Sequence, residues 1–509
     1  MTKFRSAFRT RHSTLVWLLF IATVLFVYFA GLTMPLVGPD EPRYAQVARE
    51  MFERGDWVTP TLGGFNWFEK PALLYWLQIA SYNLFGVSEF AARFGSALFG
   101  LGTIVSLWVL GRHVGSTDKE HGTADSFAYW LTLIAASTVG IIAFAHGASF
   151  DIILTLPITA ALVSFYIYDS NRRFLPLVSF YFFIGLALLA KGLVGFVFPV
   201  LIVGVYYTMS WKRPNAVFIL SLFWGTLLSA AVASVWYLPM YLTHGFEFID
   251  QFFIQHHFQR YTSNKYFHPQ PFYFFFWVLP LMTIPWLPFF LATLWNLVRR
   301  LFTWQRDKAA TDTPESSRSS IPDSLRIFCL CWIAVPLIFF SFSGSKLPGY
   351  ILPAVPAAIV LTAAYIFEVI RPRRWGTWLV HSIASATFIL VIIAIYAVAP
   401  RFAETDSVKG LFAIARERGF ESSPVMMLHG ISHNAEFYAP GRIVRDADGR
   451  QKRFLGPREI SAALNRFNGK PALVLVPLEY LPQLLESDSL KSERLGDNDE
   501  MALVVVRRE

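Results

Sequence analysis

The chain has 509 residues, of which 54% are hydrophobic and 16% are charged, with 49 Phe and 16 Trp residues. This composition exceeds what a soluble core requires and excludes an ordinary soluble protein, because apolar runs of about 20 residues recur and each can cross a bilayer. The net charge of +9 would also suit a nucleic-acid-binding protein. Its basic residues instead follow the ends of the apolar runs, so we predict a polytopic membrane protein with no nucleic-acid partner.

The apolar runs predict about eleven membrane-spanning helices. We expect them near residues 14–36, 90–111, 125–145, 150–169, 174–190, 192–210, 216–241, 272–298, 325–342, 349–370 and 376–399. A further apolar stretch, Ala72–Phe85, is too short to cross and is expected to lie along the membrane interface. The first run is too long for the core of a cleaved signal peptide, so we interpret it as a retained signal anchor.

Basic residues predict the orientation of these helices. Arg172, Lys212 and Arg299 mark alternate loops on the same side as the basic N-terminal tail. The positive-inside rule places that side in the cytoplasm. The opposite side then receives two long external loops, residues 37–89 and 242–271.

The composition changes after Pro400, where helix-like segments alternate with β-branched runs. The helix-like segments are Val408–Arg418, Pro457–Phe467 and Leu478–Leu485, and the β-branched runs are Val425–Leu428, Ala472–Val476 and Ala502–Val506. We therefore expect a membrane domain over residues 1–400 and a small soluble α/β domain over residues 401–509. An odd number of crossings places the second domain on the external side.

The segment Gly38–Leu73 is the clearest candidate site, because many charges are concentrated there in a chain with few of them. Pro39 and Pro42 flank Asp40 and Glu41 and fix the backbone in a rigid turn. An ordinary solvated loop is the alternative interpretation of this segment.

Several motifs resemble those of one family. The first loop contains GPDEPRYAQVAREM, GDWVTPTLGG and FEKPALLYW, and later segments contain LALLAKGLVGFVFP, HHFQRY followed by HPQPFYFF, and SKLPGYILPAVP. Together these resemble the lipid A aminoarabinose transferases and their protein O-mannosyltransferase relatives, which are membrane glycosyltransferases of the GT-C fold. The resemblance implies an all-α polytopic fold and an inverting transfer of a sugar from an undecaprenyl-phosphate carrier at the periplasmic face of the bacterial inner membrane.

Such a transfer breaks the anomeric C–O bond with phosphate as the leaving group, so the site needs an acidic group facing the acceptor and cations on the phosphate. Asp40 matches the family's first-loop acidic pair and is the leading catalytic candidate. Glu41 is the second candidate, and Asp151 matches another acidic position of the family. The simpler alternatives are turn formation by Asp40 and N-capping of a helix by Asp151.

Cations at the external ends of the helices are the candidates for binding the donor phosphate. They are Arg43, Lys70, Lys191, Arg260 and Lys346, and Tyr350 is expected to donate a hydrogen bond to the same phosphate. Lys70 and Lys346 each lie in a motif that matches the family. Any one of these cations alone could be a side chain snorkelling at a helix end, but five on one side favour a binding site.

Glu69, His256 and His268 are residue types that bind zinc, although their spacing is not that of a close ligand set. We therefore predict no required cofactor and keep a zinc ion as the alternative. Packing and hydrogen bonding in an aromatic loop are the default interpretation of the two histidines.

The resemblance thus predicts transfer of aminoarabinose from undecaprenyl phosphate to lipid A, with membrane lipids as the surroundings. The chain has fewer predicted spans than we expect of this family, so a protein or glycan hydroxyl is an alternative periplasmic acceptor. A transporter or flippase for a lipid-linked substrate is the alternative of another class. Transporters place ionisable residues and broken helices near the bilayer midplane, whereas the conspicuous acids and lysines here lie at external ends.

Overall fold

The computed structural model describes residues 17–116, 124–259, 269–307, 321–467 and 470–508. The chain forms two compact units. The helical unit comprises Met1–Ala30, Glu69–Leu74 and Gly95–Ile392, and the mixed unit comprises Gly31–Phe68, Tyr75–Phe94 and Ile393–Glu509. This division differs from the predicted boundary at residue 400, because most of the first loop belongs to the same unit as the C-terminal residues.

Helices dominate the chain up to residue 406. In chain order they are α1 (Trp17–Phe29), α2 (Asp40–Arg54), α3 (Leu73–Phe85), α4 (Glu89–Ser116), α5 (Ala124–Ala136), α6 (Val139–Ala145), α7 (Phe150–Asn171), α8 (Phe174–Lys191), α9 (Val194–Met209), α10 (Ala216–Phe248), α11 (Phe274–Met282), α12 (Leu287–Asp307), α13 (Asp323–Ser341), α14 (Val355–Tyr365), α15 (Gly376–Ile393) and α16 (Ala399–Asp406). A π-helix at Ile249–Gln259 follows α10, and a 3₁₀-helix at Pro348–Ala354 precedes α14. Two short π-helices, Ile366–Ile370 and Ala394–Val398, follow α14 and α15.

Among the described residues, seven helical segments are long and apolar enough to cross a membrane, and an eighth is counted if α5 and α6, bent by 55°, form one broken span. Shorter apolar helices at Trp17–Phe29, Val194–Met209 and Leu287–Arg299 occupy three further predicted positions. Each of the eleven predicted runs therefore contains a helix, but the criterion of length supports seven or eight spans rather than eleven. The prediction of a polytopic helical membrane protein is confirmed.

The helical unit has core helices and lipid-facing helices. Most residues of α7 and nearly all of α14 are buried, whereas α10 and α15 expose many large apolar side chains, among them Leu220, Phe223 and Leu390. Exposed apolar surface of this size is typical of helices that face lipid. Small residues bring neighbouring helices together, since a Cβ on Gly195 would overlap the backbone of Ala187.

The C-terminal part of the mixed unit contains a five-stranded sheet. Its strands are β3 (Val425–Leu428), β4 (Arg453–Phe454), β5 (Ala472–Pro477), β6 (Leu490–Asp497) and β7 (Met501–Arg508), and the helices around it are α17 (Lys409–Glu417), α18 (His433–Tyr438), α19 (Pro457–Leu464) and α20 (Leu481–Leu485). The strands lie in the order β4-β3-β5-β7-β6. Strand β3 is parallel to β4 and β5, whereas β7 is antiparallel to β5 and β6. Apolar residues cover both faces of β3 and β5, and the predicted α/β fold is confirmed.

The first loop is also folded. A hairpin of β1 (Thr61–Leu62) and β2 (Phe65–Asn66) follows α2, and the turn between its strands is Gly63-Gly64, with φ of 64° and 83°. Positive φ at both central residues is what a type I′ two-residue hairpin turn requires. The carboxylate of Glu50 accepts hydrogen bonds from the N–H groups of Gly63 at 2.6 Å and Gly64 at 3.0 Å. The hairpin is therefore tied to α2.

Candidate active site

Asp151 and Lys191 form an ion pair inside the helical unit, and both side chains are mostly buried. Ser149 is the N-cap of α7, because its hydroxyl accepts a hydrogen bond from the Asp151 N–H at 3.1 Å. The capping role considered for Asp151 therefore belongs to Ser149. Lys191 is the last residue of α8, where the helix dipole favours a cation, and Gly192 ends that helix with a φ of 71°.

The 3₁₀-helix that begins at Pro348 packs against this ion pair. The Lys191 ammonium nitrogen lies 4.6 Å from the centroid of the Tyr350 ring, which is a cation–π contact. A Cβ on Gly349 would overlap the carboxylate of Asp151, so the backbone lies directly against that carboxylate. The structure thus brings together three of the residues that the sequence singled out, Asp151, Lys191 and Tyr350. We call these three residues and Gly349 the Asp151 cluster.

Lys346 lies four residues before Tyr350, and its side chain is only 7% exposed. Its ammonium group donates hydrogen bonds to the backbone carbonyls of Ser343 at 2.6 Å and Gln270 at 3.1 Å. Within the described ranges, no carboxylate lies at ion-pair distance from it. Burial lowers the pKa of Lys346 below the usual lysine value, because desolvation disfavours the charged form. A buried cation held by neutral carbonyls is well suited to an anionic ligand.

Glu69 and Lys70 form an ion pair with a separation of 3.4 Å, and both side chains are largely buried. Lys70 therefore does not snorkel into solvent, and its charge is directed into the protein. Glu69 was also a predicted zinc ligand.

The structure describes only some of the predicted zinc ligands and does not describe one of the predicted phosphate-binding residues. His256 lies in the π-helix after α10, whereas Arg260 and His268 lie outside the described residues. In the part of the chain that the structure describes, no three His, Cys, Asp or Glu side chains are grouped closely enough to hold a metal ion. The zinc site and the role of Arg260 stay predictions.

The mixed unit carries the acids of the first loop. Asp40 is the first residue of α2, and its carboxylate pairs with the guanidinium of Arg43, which also lies 5.5 Å from the centroid of the Trp67 ring. The Asp40 side chain is 48% exposed. It therefore remains accessible to a reactant while Arg43 orients it.

Glu41 has a different environment, because a buried arginine that the sequence analysis missed binds it. Arg93 donates hydrogen bonds to both Glu41 carboxylate oxygens, at 2.6 and 3.1 Å, and the two side chains are 4% and 12% exposed. The N–H of Val37 donates to the same carboxylate at 3.1 Å. Arg93 further donates to the backbone carbonyls of Leu32, Met34 and Pro35. This geometry favours a structural role for Glu41.

One signal in the sequence points to Arg93. It lies in the apolar stretch EFAARFGSALFG, where a charged side chain is costly unless it is paired. An arginine at such a position predicts a buried partner, although it does not identify Glu41.

Comparison with known protein families gives the following matches. Residues 12–262 match the family model described as dolichyl-phosphate-mannose-protein mannosyltransferase. The undecaprenyl phosphate-alpha-4-amino-4-deoxy-L-arabinose arabinosyl transferase of Aeromonas hydrophila is 30% identical over 404 residues, which are 77% of this chain and 68% of that protein. The transferase of the same name from Aeromonas salmonicida is 29% identical over 388 residues, 75% of this chain and 65% of that protein. The chain spans about two thirds of the length of these curated relatives.

Two solved structures share the fold. The crystal structure of ArnT from Cupriavidus metallidurans bound to undecaprenyl phosphate has a TM-score of 0.74 and 22% identity, covering 97% of this chain and 98% of that one. The archaeal oligosaccharyltransferase AglB from Archaeoglobus fulgidus has a TM-score of 0.50 and 12% identity, covering 91% of this chain and 69% of that one. These similarities confirm the predicted GT-C fold.

Proposed function

Because the chain belongs to the undecaprenyl phosphate-aminoarabinose arabinosyl transferase family, we propose that it transfers 4-amino-4-deoxy-L-arabinose from undecaprenyl phosphate to lipid A. The observation that carries this proposal is the Asp151 cluster, where Lys191 and Tyr350 from two separate family-like motifs meet an acid at a position that matches the family. The proposed location is the bacterial inner membrane, with the reaction and the C-terminal sheet on the periplasmic side. The positive-inside distribution of basic residues supports that orientation.

In the proposed reaction, an oxygen of the acceptor attacks the anomeric carbon of the sugar. The bond from that carbon to the carrier phosphate oxygen breaks, and its electron pair stays on the phosphate as undecaprenyl phosphate leaves. Negative charge therefore increases on the phosphate in the transition state. Cations that are already in position stabilise this charge without reorganising during the reaction.

Lys191, Lys346 and Lys70 are the proposed phosphate-binding cations. Lys346 is the best supported, because its side chain is buried and, among the described residues, its ammonium group is held by backbone carbonyls rather than by a carboxylate. The ion pair with Asp151 fixes the direction of the Lys191 side chain, and the Tyr350 ring packs on its ammonium group. Asp151 is proposed to act chiefly by holding Lys191 in place, and Tyr350 to donate a hydrogen bond to the phosphate.

Asp40 is the proposed acid–base group for the acceptor, since it is exposed and oriented by Arg43. The demand on Asp40 depends on the acceptor. A lipid A phosphate is already anionic near neutral pH, so with this acceptor Asp40 is proposed to act mainly by orienting the attacking oxygen rather than as a strong base. A hydroxyl acceptor must lose its proton as it attacks, which makes a base essential.

The test uses purified protein in nanodiscs with undecaprenyl-phosphate-linked aminoarabinose and lipid A, and mass spectrometry detects the products. Wild type and the control Asp448→Asn, an exposed aspartate of the C-terminal sheet region, are expected to form modified lipid A. Asp40→Asn is expected to form much less. Parallel assays test the alternatives. Movement of the intact donor between the leaflets of sealed proteoliposomes, without a covalent product, would instead support a flippase. Transfer to a protein or glycan hydroxyl offered in place of lipid A, with none to lipid A, would replace lipid A as the acceptor.

A further inference from the structure

The chain that leads into α2, residues 36–41, is held by side chains from the other end of the sequence. We call these residues the acidic turn. The N–H of Leu36 donates to the hydroxyl oxygen of Tyr438 at 2.8 Å, across 402 positions of sequence. The N–H of Gly38 donates to the carboxylate of Asp406 at 2.5 Å. Both contacts lie within the mixed unit.

These two contacts fix the part of the backbone that determines where Asp40 begins α2. Gly38 has a φ of 65°, a left-handed conformation that glycine adopts at no steric cost, and Pro39 then restricts the next φ. Asn434 contributes a longer contact, in which its amide donates to the Gly38 carbonyl at 3.4 Å. Hydrogen bonds on both peptide groups of Gly38 thus orient the residue two positions before Asp40.

The anchoring side chains are themselves fixed. Tyr438 donates its hydroxyl proton to Glu89 at 3.1 Å, and Lys409 pairs with the same carboxylate at 2.7 Å. Burial and the neighbouring Glu89 raise the pKa of Tyr438, so its hydroxyl stays protonated over the whole neutral range. Tyr438 can therefore donate to Glu89 and accept from Leu36 at the same time.

From this geometry we propose that Tyr438 and Asp406 are positioning residues for Asp40, so that the C-terminal region holds the acidic turn in place. This inference rests on the proposed function, because it assigns the catalytic role to Asp40. It also gives residues 393–509 a specific task. The anchors act through the backbone of the acidic turn and do not contact the reactants.

The test compares Tyr438→Phe and Asp406→Ala with matched controls in the same region. Tyr480→Phe removes the hydroxyl of a tyrosine whose ring packs on His429, and Asp448→Ala removes an exposed carboxylate. Two readouts are taken from the full-length protein in nanodiscs: hydrogen–deuterium exchange of peptides covering residues 34–41, and steady-state kinetics of sugar transfer to lipid A. Both anchor variants are expected to exchange faster in this peptide and to lose about tenfold to a hundredfold in kcat with little change in KM for the donor, because Asp40 is misplaced rather than removed. The controls should match wild type in both readouts.

Unchanged exchange at residues 34–41 in both anchor variants would overturn the anchoring itself. Faster exchange with an unchanged kcat would overturn the positioning role. If wild type makes no product at all, the proposed function fails, and the exchange experiment still decides whether the anchors hold the turn. The double variant Tyr438→Phe/Asp406→Ala, with folding checked by its melting curve, guards against compensation by the remaining anchor.

Discussion

Replacing Glu41 with glutamine is expected to destabilise the protein more than it impairs any chemical step. The substitution keeps the size of the side chain but removes its negative charge. Arg93, whose side chain is 4% exposed, would then keep its positive charge but lose the carboxylate that pairs with it. Its hydrogen bonds to three backbone carbonyls compensate only partly, because carbonyls are neutral.

The expected magnitude follows from the burial of the pair. Breaking one partner of a buried ion pair typically costs about 3–5 kcal/mol, since the other charge is left uncompensated. The matched control is Glu53→Gln in the same helix, where Glu53 pairs with Arg49 at 2.7 Å and half of the Glu53 side chain is exposed. Exposed pairs of this kind contribute about 0–1 kcal/mol, so the control should be nearly neutral.

The assay measures the free energy of unfolding of purified protein in mixed micelles. It is applied to Glu41→Gln, Arg93→Gln, the double variant Glu41→Gln/Arg93→Gln and the control Glu53→Gln. Because Glu41 and Arg93 contact each other, the double variant should be less destabilised than the sum of Glu41→Gln and Arg93→Gln, with a coupling of at least about 1 kcal/mol. If Glu41→Gln retained wild-type stability while kcat collapsed, the structural role would be refuted and Glu41 would return as a catalytic acid.

Three further outcomes are expected. Gly349→Ala should lower transfer at least about tenfold, because the new Cβ would displace the Asp151 carboxylate, whereas Gly204→Ala, where a Cβ would meet open space, should behave as wild type in the same kinetic assay. Burial lowers the pKa of Lys346, so this side chain loses its charge at a lower pH than an ordinary lysine does. The wild-type rate should therefore begin to fall, as the pH is raised, before the pH reaches the usual lysine pKa. Lys346→Arg should move that fall to higher pH in a pH–rate profile, because arginine keeps its proton. Asp40→Asn should reduce transfer to a hydroxyl acceptor more than transfer to a phosphate acceptor, and equal, complete loss with both acceptors would contradict the proposed acid–base role.

The sequence predicted the regular elements well where a pattern was long or strongly apolar. The runs at Val425–Leu428, Ala472–Val476 and Ala502–Val506 became β3, β5 and β7, since these strands are buried on both faces. Strand β4 was missed because it has two residues, and β6 because LKSERLGD is polar and lies at the edge of the sheet. Neither strand carries the apolar run on which the prediction relied.

For the candidate site, the motifs identified residues but not their distances. Asp151 and Lys191 are separated by 40 positions, and only the packing of α7 against α8 makes them a pair. The anchoring of Leu36 by Tyr438 spans 402 positions, and no local pattern at either residue indicates the other. Long-range hydrogen bonds of this kind depend on the whole fold, so a single sequence does not predict them.

The most direct test of the central claim is the mass of lipid A after incubation with the purified wild-type protein and undecaprenyl-phosphate-linked aminoarabinose. The proposed function predicts a mass increase of one aminoarabinose unit on a lipid A phosphate, with release of free undecaprenyl phosphate in equal amount. Unmodified lipid A and intact donor, from protein whose melting curve shows that it is folded, would contradict it.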